Sequence, residues 1–157
     1  MPQITQWDEF EYFGNNPPNA SYRKRSIVTL GEQRSKYIAT NSNNDIIFTY
    51  RVDGGIIQGN SVRKCDFLFL HDKKNTAYFI ELKGEHFNEG IKQLELTITN
   101  RTITSVLQEY TFKCRLSCTQ IPSSTKQNEK LKAIKRFKDS YNAELRIEKT
   151  PFEEPKL

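Results

Sequence analysis

Cys65-Asp66-Phe67-Leu68-Phe69-Leu70, then the polar stretch His71-Asp72-Lys73-Lys74-Asn75-Thr76, then Tyr78-Phe79-Ile80-Glu81-Leu82-Lys83-Gly84, is the passage from which the fold of this chain is read. Both apolar runs have the length and composition of inner strands. The residues between them carry Asp and Asn and no apolar run, so they read as a short hairpin loop. Side chains alternate along a strand. Glu81 and Lys83 are therefore expected on one face of the second strand and Ile80 and Leu82 on the other. On the first strand Asp66 is expected to share a face with Leu68, and Cys65, Phe67 and Phe69 to take the opposite face. Antiparallel pairing then brings Asp66 beside Glu81 and Lys83, provided the register puts all three on one face.

Ionised groups on an inner strand are costly unless they are paired or coordinated. Two adjacent carboxylates repel each other, yet together they offer the oxygen ligands that a hard divalent cation prefers. A neighbouring lysine stabilises developing negative charge or orients a water molecule. Asp66, Glu81 and Lys83 thus suit phosphodiester hydrolysis assisted by Mg²⁺ or Mn²⁺. The same residues admit a structural reading. Glu81 and Lys83 can form an ion pair on a half-exposed strand, and Asp66 can cap a turn or pair with Arg63 or Lys64.

Asp66, a spacer of fourteen residues, and then Glu81-Leu82-Lys83 resembles the metal-binding core of the PD-(D/E)XK nuclease superfamily. That superfamily includes restriction endonucleases, Holliday-junction resolvases and many repair and defence nucleases. The resemblance extends over about Asp45 to Ile121, with Cys65 standing where the motif name has proline. It implies a restriction-endonuclease-like α+β fold, in which a mixed central sheet is flanked by helices in the order helix, three antiparallel strands, helix, strand. It also implies Asp66 and Glu81 as metal ligands and Lys83 as the catalytic lysine. Gln93, in the helix after the motif, reads either as the counterpart of a glutamine or lysine that faces the site in some members or as a neutral surface glutamine. Many members supply a further acidic residue from the first helix, and here Glu9, Glu11 and Glu32 are the candidates.

The flanking sequence supplies the remaining elements. From His86 to about Tyr110, apolar residues recur at mostly helical spacing and predict a helix, although its centre is rich in β-branched Thr and Ile. Thr111 to Ile121 reads as a strand, Lys126 to Tyr141 as a helix and Glu144 to Lys149 as a last strand. Upstream, Ser26 to Leu30, Tyr37 to Thr40 and Ile46 to Val52 read as strands, and Trp7 to Phe13 as a short helix. Trp7, Phe10, Tyr12 and Phe13 read as an apolar docking patch or as stacking surfaces for unpaired bases. His86 reads as a helix-start residue, with an accessory contact to phosphate or water as the alternative. The 157 residues suit a single domain, 1–157, with 1–22 as an irregular N-terminal segment.

No apolar run approaches a membrane span and no signal-peptide pattern opens the chain, so a cytoplasmic protein is expected. Cys114 and Cys118 share a strand face. With only His71 and His86 to complete a site, the three cysteines read as buried free thiols. The net charge of +5 is concentrated in Arg23-Lys24-Arg25 and in Lys126, Lys130, Lys132, Lys135, Arg136 and Lys138. The helix carrying the second group is expected to lay Leu131, Ile134, Phe137 and Tyr141 on the core. Its lysines either seat a nucleic-acid backbone or form a solvated face.

The expected function is a metal-dependent nuclease acting on DNA in preference to RNA, in restriction, repair or anti-phage defence. The alternative is a non-catalytic nucleic-acid-binding or protein-interaction module on the same fold. Cutting both strands of a duplex calls for two sites, and hence a homodimer or a partner subunit.

Overall fold

The computed structural model describes residues 21–23, 27–32, 34–53, 63–120 and 124–157. Within them the strands are β1 (Ser21–Arg23), β2 (Ile27–Glu32), β3 (Ser35–Thr40), β4 (Ile47–Arg51), β5 (Phe67–His71), β6 (Thr76–Lys83), β7 (Thr111–Cys118), β8 (Ala143–Lys149) and β9 (Phe152–Glu154). The helices are α1 (Phe87–Ile98), α2 (Arg101–Thr104) and α3 (Ser124–Tyr141). The predicted hairpin is present as β5 and β6. Its loop is one 3₁₀ turn, Asp72–Lys74, closed by Asn75 at φ 47°, a left-handed conformation that asparagine tolerates better than most residues.

A six-stranded sheet has the order β1-β4-β5-β6-β7-β8. The β4, β5 and β6 strands form an antiparallel meander, while β7 runs parallel to β6 and β8 parallel to β7. Parallel neighbours need crossovers, which α1 with α2 and then α3 supply. The helices pack on one face of this sheet, around Leu68, Leu70, Ala77, Phe79, Leu94, Leu116 and Phe137. A second sheet, of order β2-β3-β9, covers the other face through Tyr37, Ala39, Phe69, Tyr78, Ile80 and Leu82. The result is a mixed α+β domain of three layers, helices, central sheet and small sheet.

Several expectations need correction. The helix expected from His86 to Tyr110 ends at Ile98. Asn100 then caps the short α2, its side chain accepting the Thr102 N–H at 2.9 Å, so the β-branched stretch marks the break. In α3, Leu131 is 61% exposed, and the core is filled instead by Ala133 and Phe137 with Ile134 and Tyr141 partly buried. Ser21 and Tyr22, from the segment expected to be irregular, belong with Arg23 to an edge strand that pairs with β4. The predicted helix at Trp7 to Phe13, with its aromatic residues and with Glu9 and Glu11, lies outside the described residues, as do Lys24 and Arg25.

Candidate functional site

Asp66 stands one residue before β5. The β5–β6 register ends at Phe67↔Ile80, so Asp66 adjoins the last pair, one position from where Glu81 follows Ile80. The Asp66 carboxylate is occupied in a way that the sequence does not reveal. Asp66 Oδ2 accepts the main-chain N–H of Leu82 at 2.9 Å, taking the place of a strand carbonyl where the β5–β6 ladder stops. The Asp66 carbonyl accepts the Val52 N–H at 2.8 Å and so ties the same residue to the position that follows β4. Cys65, expected on the opposite face from Leu68, packs instead with it in the helix-side core, because strand alternation does not bind a residue that precedes the strand.

Glu81 is 1% exposed and Lys83 is 17% exposed on its side chain. Lys83 Nζ lies 3.9 Å from Glu81 Oε1 and 3.9 Å from Glu89 Oε2, so one ammonium group stands between a carboxylate from the sheet and one from the first turn of α1. Lys83 opens on a cavity of about 190 Å³ lined by Arg63, Lys83, Glu89 and Gln93. Gln93 also lines this cavity, and its Nε2 donates to the Lys64 carbonyl at 3.1 Å. Lys64 is itself buried, with Nζ 3.6 Å from Asp53 Oδ1.

The field of Glu81 reaches two thiols. Burial first, and then the Glu81 carboxylate, push the Cys65 thiol well above its ordinary range. The same two causes raise Cys118 to about 11, against the opposing pull of Lys130. Cys118 is the register partner of Lys83, and Lys130 shares the core-facing stripe of α3 with Ala133, Ile134 and Phe137. The basic cluster of α3 is therefore not one surface. Lys130 is half-buried and acts toward the strand ends that carry Glu81 and Lys83. Lys132, Lys135 and Lys138 are exposed, and Arg136 binds Glu95 of α1 at 2.6 Å. Lys126 belongs to α3, but its side chain lies outside the described residues, as does that of Glu32 in β2.

Among the described residues, no group of three or more His, Cys, Asp or Glu side chains is gathered to hold a metal ion. Asp66 and Glu81 offer two carboxylates. That donor set fits Mg²⁺, which commonly takes one or two protein carboxylates and completes its shell with water and phosphate oxygens. His86 is the exposed N-cap residue of α1, without a side-chain cap bond. The three cysteines are buried and free.

Glu89 and Thr97 are not singled out by the sequence reading, and Arg63 enters it only as an ion-pair partner for Asp66. The spacing of Glu89, Gln93 and Thr97 is the signal that could have found two of them, since residues four apart share a helix face. No protein-family model matches the chain, and comparisons with curated proteins and with solved structures return no match either. No helix among the described residues is long and apolar enough to cross a membrane.

Proposed function

We propose that the protein is a metal-dependent phosphodiester hydrolase of the PD-(D/E)XK type, acting on DNA in preference to RNA, with a role in restriction, repair or anti-phage defence in the cytoplasm. The observation that carries the reading is the pairing of Lys83 with Glu81 at the end of β6, where the Asp66 carboxylate also holds the Leu82 N–H, with Lys83 opening on the 190 Å³ cavity. The order of elements supports it as well: three antiparallel strands, a helix, then a strand parallel to the third. In this reading Asp66 and Glu81 hold Mg²⁺ or Mn²⁺. When bound, the ion polarises the phosphate and makes water a better nucleophile at neutral pH.

Lys83 neutralises charge that develops on the phosphate. Arg63 stands at the same cavity and supplies a second cation for a phosphate oxygen. Gln93 holds the Lys64 carbonyl beside the cavity. The exposed lysines of α3 add sequence-independent attraction for a polynucleotide. Cleavage of both strands of a duplex would require a homodimer or a partner subunit.

One observation favours a second reading, a non-catalytic nucleic-acid-binding or interaction module. Asp66 is only 7% exposed and Glu81 only 1%. A single comparison separates the two. The protein is incubated with supercoiled, linear, branched and single-stranded DNA and with RNA in Mg²⁺ or Mn²⁺, beside Lys83→Ala and Asp66→Ala. Metal-dependent cutting lost in both variants supports the hydrolase, and binding without cutting supports the module.

A further inference from the structure

The backbone immediately before Asp66 is gripped from α1 by two side chains one helical turn apart. Thr97 is fully buried, and its hydroxyl serves two partners: Oγ1 accepts the Cys65 N–H at 2.7 Å and donates to the Gln93 carbonyl at 2.7 Å. One turn earlier, Gln93 Nε2 donates to the Lys64 carbonyl at 3.1 Å. Lys64 and Cys65 are the two residues that lead into Asp66. They precede β5, so the β5–β6 ladder, whose register begins at Phe67, does not hold them. Beyond them, Asp66 Oδ2 takes the Leu82 N–H and its carbonyl takes the Val52 N–H.

We infer that Thr97, assisted by Gln93, is a positioning residue that holds the Lys64–Cys65 main chain and thereby fixes the Asp66 carboxylate at the end of β6. A helix-borne hydroxyl suits this task. Its bond to the Gln93 carbonyl orients the hydroxyl hydrogen along the helix and leaves a lone pair directed at the Cys65 N–H. Valine has nearly the same shape but would leave that buried N–H without its acceptor, whereas serine would keep it. Gln93 thereby acts through the main chain of Lys64 and not on a reacting atom. The consequence for catalysis rests on the hydrolase reading proposed above. The consequence for Asp66 does not.

The two are tested separately on the full chain. In metal-free protein, amide hydrogen exchange is followed at Leu82, whose N–H Asp66 holds, and at Leu116 in the centre of the sheet as a measure of global stability. Thr97→Val is expected to speed exchange at Leu82 by about tenfold more than at Leu116, and Thr97→Ser to match the native protein. Gln93→Leu, which leaves Thr97 in place, is expected to move Leu82 in the same direction by a smaller factor. Equal acceleration at Leu82 and Leu116 in Thr97→Val, or serine behaving like valine, overturns the inference.

Titration with Mn²⁺ forms the second arm. Native protein and Thr97→Ser should bind alike, and Thr97→Val about tenfold or more weakly, as for other residues that orient a metal ligand. If native protein takes up no Mn²⁺, the hydrolase reading fails, while the exchange result still decides whether Thr97 positions Asp66.

Discussion

Asp66 and Leu82 are joined across the end of the central sheet, Oδ2 of the first accepting the main-chain N–H of the second at 2.9 Å. One carboxylate is thus both a ladder terminator and a candidate metal ligand, and substitution can separate the roles. Asp66→Ala leaves a buried N–H unsatisfied, which costs about 1–3 kcal/mol. Asp66→Asn keeps an oxygen acceptor and loses the charge. The expected result is a urea midpoint near native for Asn and clearly lower for Ala, with metal-dependent cutting lost in both. Native-like cutting by the Asn variant would remove Asp66 from the metal site.

Lys83 has a different profile. It is not part of the apolar core, and both its ion pairs are longer than hydrogen bonds. Lys83→Met should therefore fold with little change in melting temperature. On the hydrolase reading proposed above, loss of this charge is expected to lower the rate of cutting by about 10²–10³-fold. Rate assays at saturating substrate and metal give the comparison, and an unchanged rate would leave Lys83 as a strand-end ion pair only.

Gly90 controls how closely α1 approaches Lys83. A Cβ there would lie 2.6 Å from Leu116 Cδ1 and 3.1 Å from Lys83 Cγ. Alanine in place of glycine in a helix gains about 1 kcal/mol in propensity. Overpacking against a buried leucine costs about 1–3 kcal/mol. The net expectation for Gly90→Ala is destabilisation, with Lys83 displaced. Combining it with Leu116→Val should recover part of the loss, and a double-mutant cycle in denaturant measures the coupling. A stabilised Gly90→Ala protein would mean that Leu116 moves away at no cost.

The β5–β6 hairpin was legible because continuous apolar runs around a polar turn leave few alternatives, and alternation then placed Glu81 and Lys83 on one face. What depended on a single residue's rotation or on distant pairing was not legible. Lys130 and Leu131 are neighbours in sequence, and helical periodicity alone did not show that the lysine faces inward and the leucine outward. The three residues of β9 are too few to show a period, and they follow a cis Thr150–Pro151 peptide. The grip of Thr97 on Cys65 joins residues that are 32 positions apart. In the sequence alone this threonine was one of several β-branched residues in a helix.

Stability should also depend on pH through a pair remote from the candidate site. His71 is buried in β5, its Nε2 2.9 Å from Asp45 Oδ2, and Lys73 Nζ lies 3.4 Å from Asp45 Oδ1. Burial lowers the His71 pKa from its ordinary 6.5, opposed by Asp45, and nearby Lys74 and Lys73 add to the lowering. The hydrogen bond to His71, with help from Lys73, lowers the Asp45 pKa from 3.8. Both folded values lie below the unfolded ones. The stability that each group contributes is therefore complete above its unfolded value and is lost as pH falls through its folded value. Denaturant midpoints should begin to fall below about pH 6.5 and fall further below about pH 3.8. His71→Gln should flatten the upper part of this profile, and an unaltered profile would exclude His71 as its source.

Among the described residues Arg115 is the largest fully buried side chain, and its charge is met by residues far along the sequence. Its Nε lies 2.5 Å from Glu154 Oε1 and its NH2 3.3 Å from Glu144 Oε1, while Arg146 and the Tyr37 hydroxyl also bond Glu154. Glu154 belongs to β9, so this cluster pins the small sheet to β7. Removing one partner of a buried ion pair typically costs about 3–5 kcal/mol, chiefly because the other charge is left behind. Glu154→Ala should fall toward the lower end, since Glu144 and two main-chain carbonyls still serve Arg115. Replacing both partners, as in Arg115→Met with Glu154→Met, removes the stranded charge and should cost less than the sum of the single changes. Urea denaturation of the four proteins closes the cycle. Strict additivity would mean that the two residues act independently despite their 2.5 Å contact.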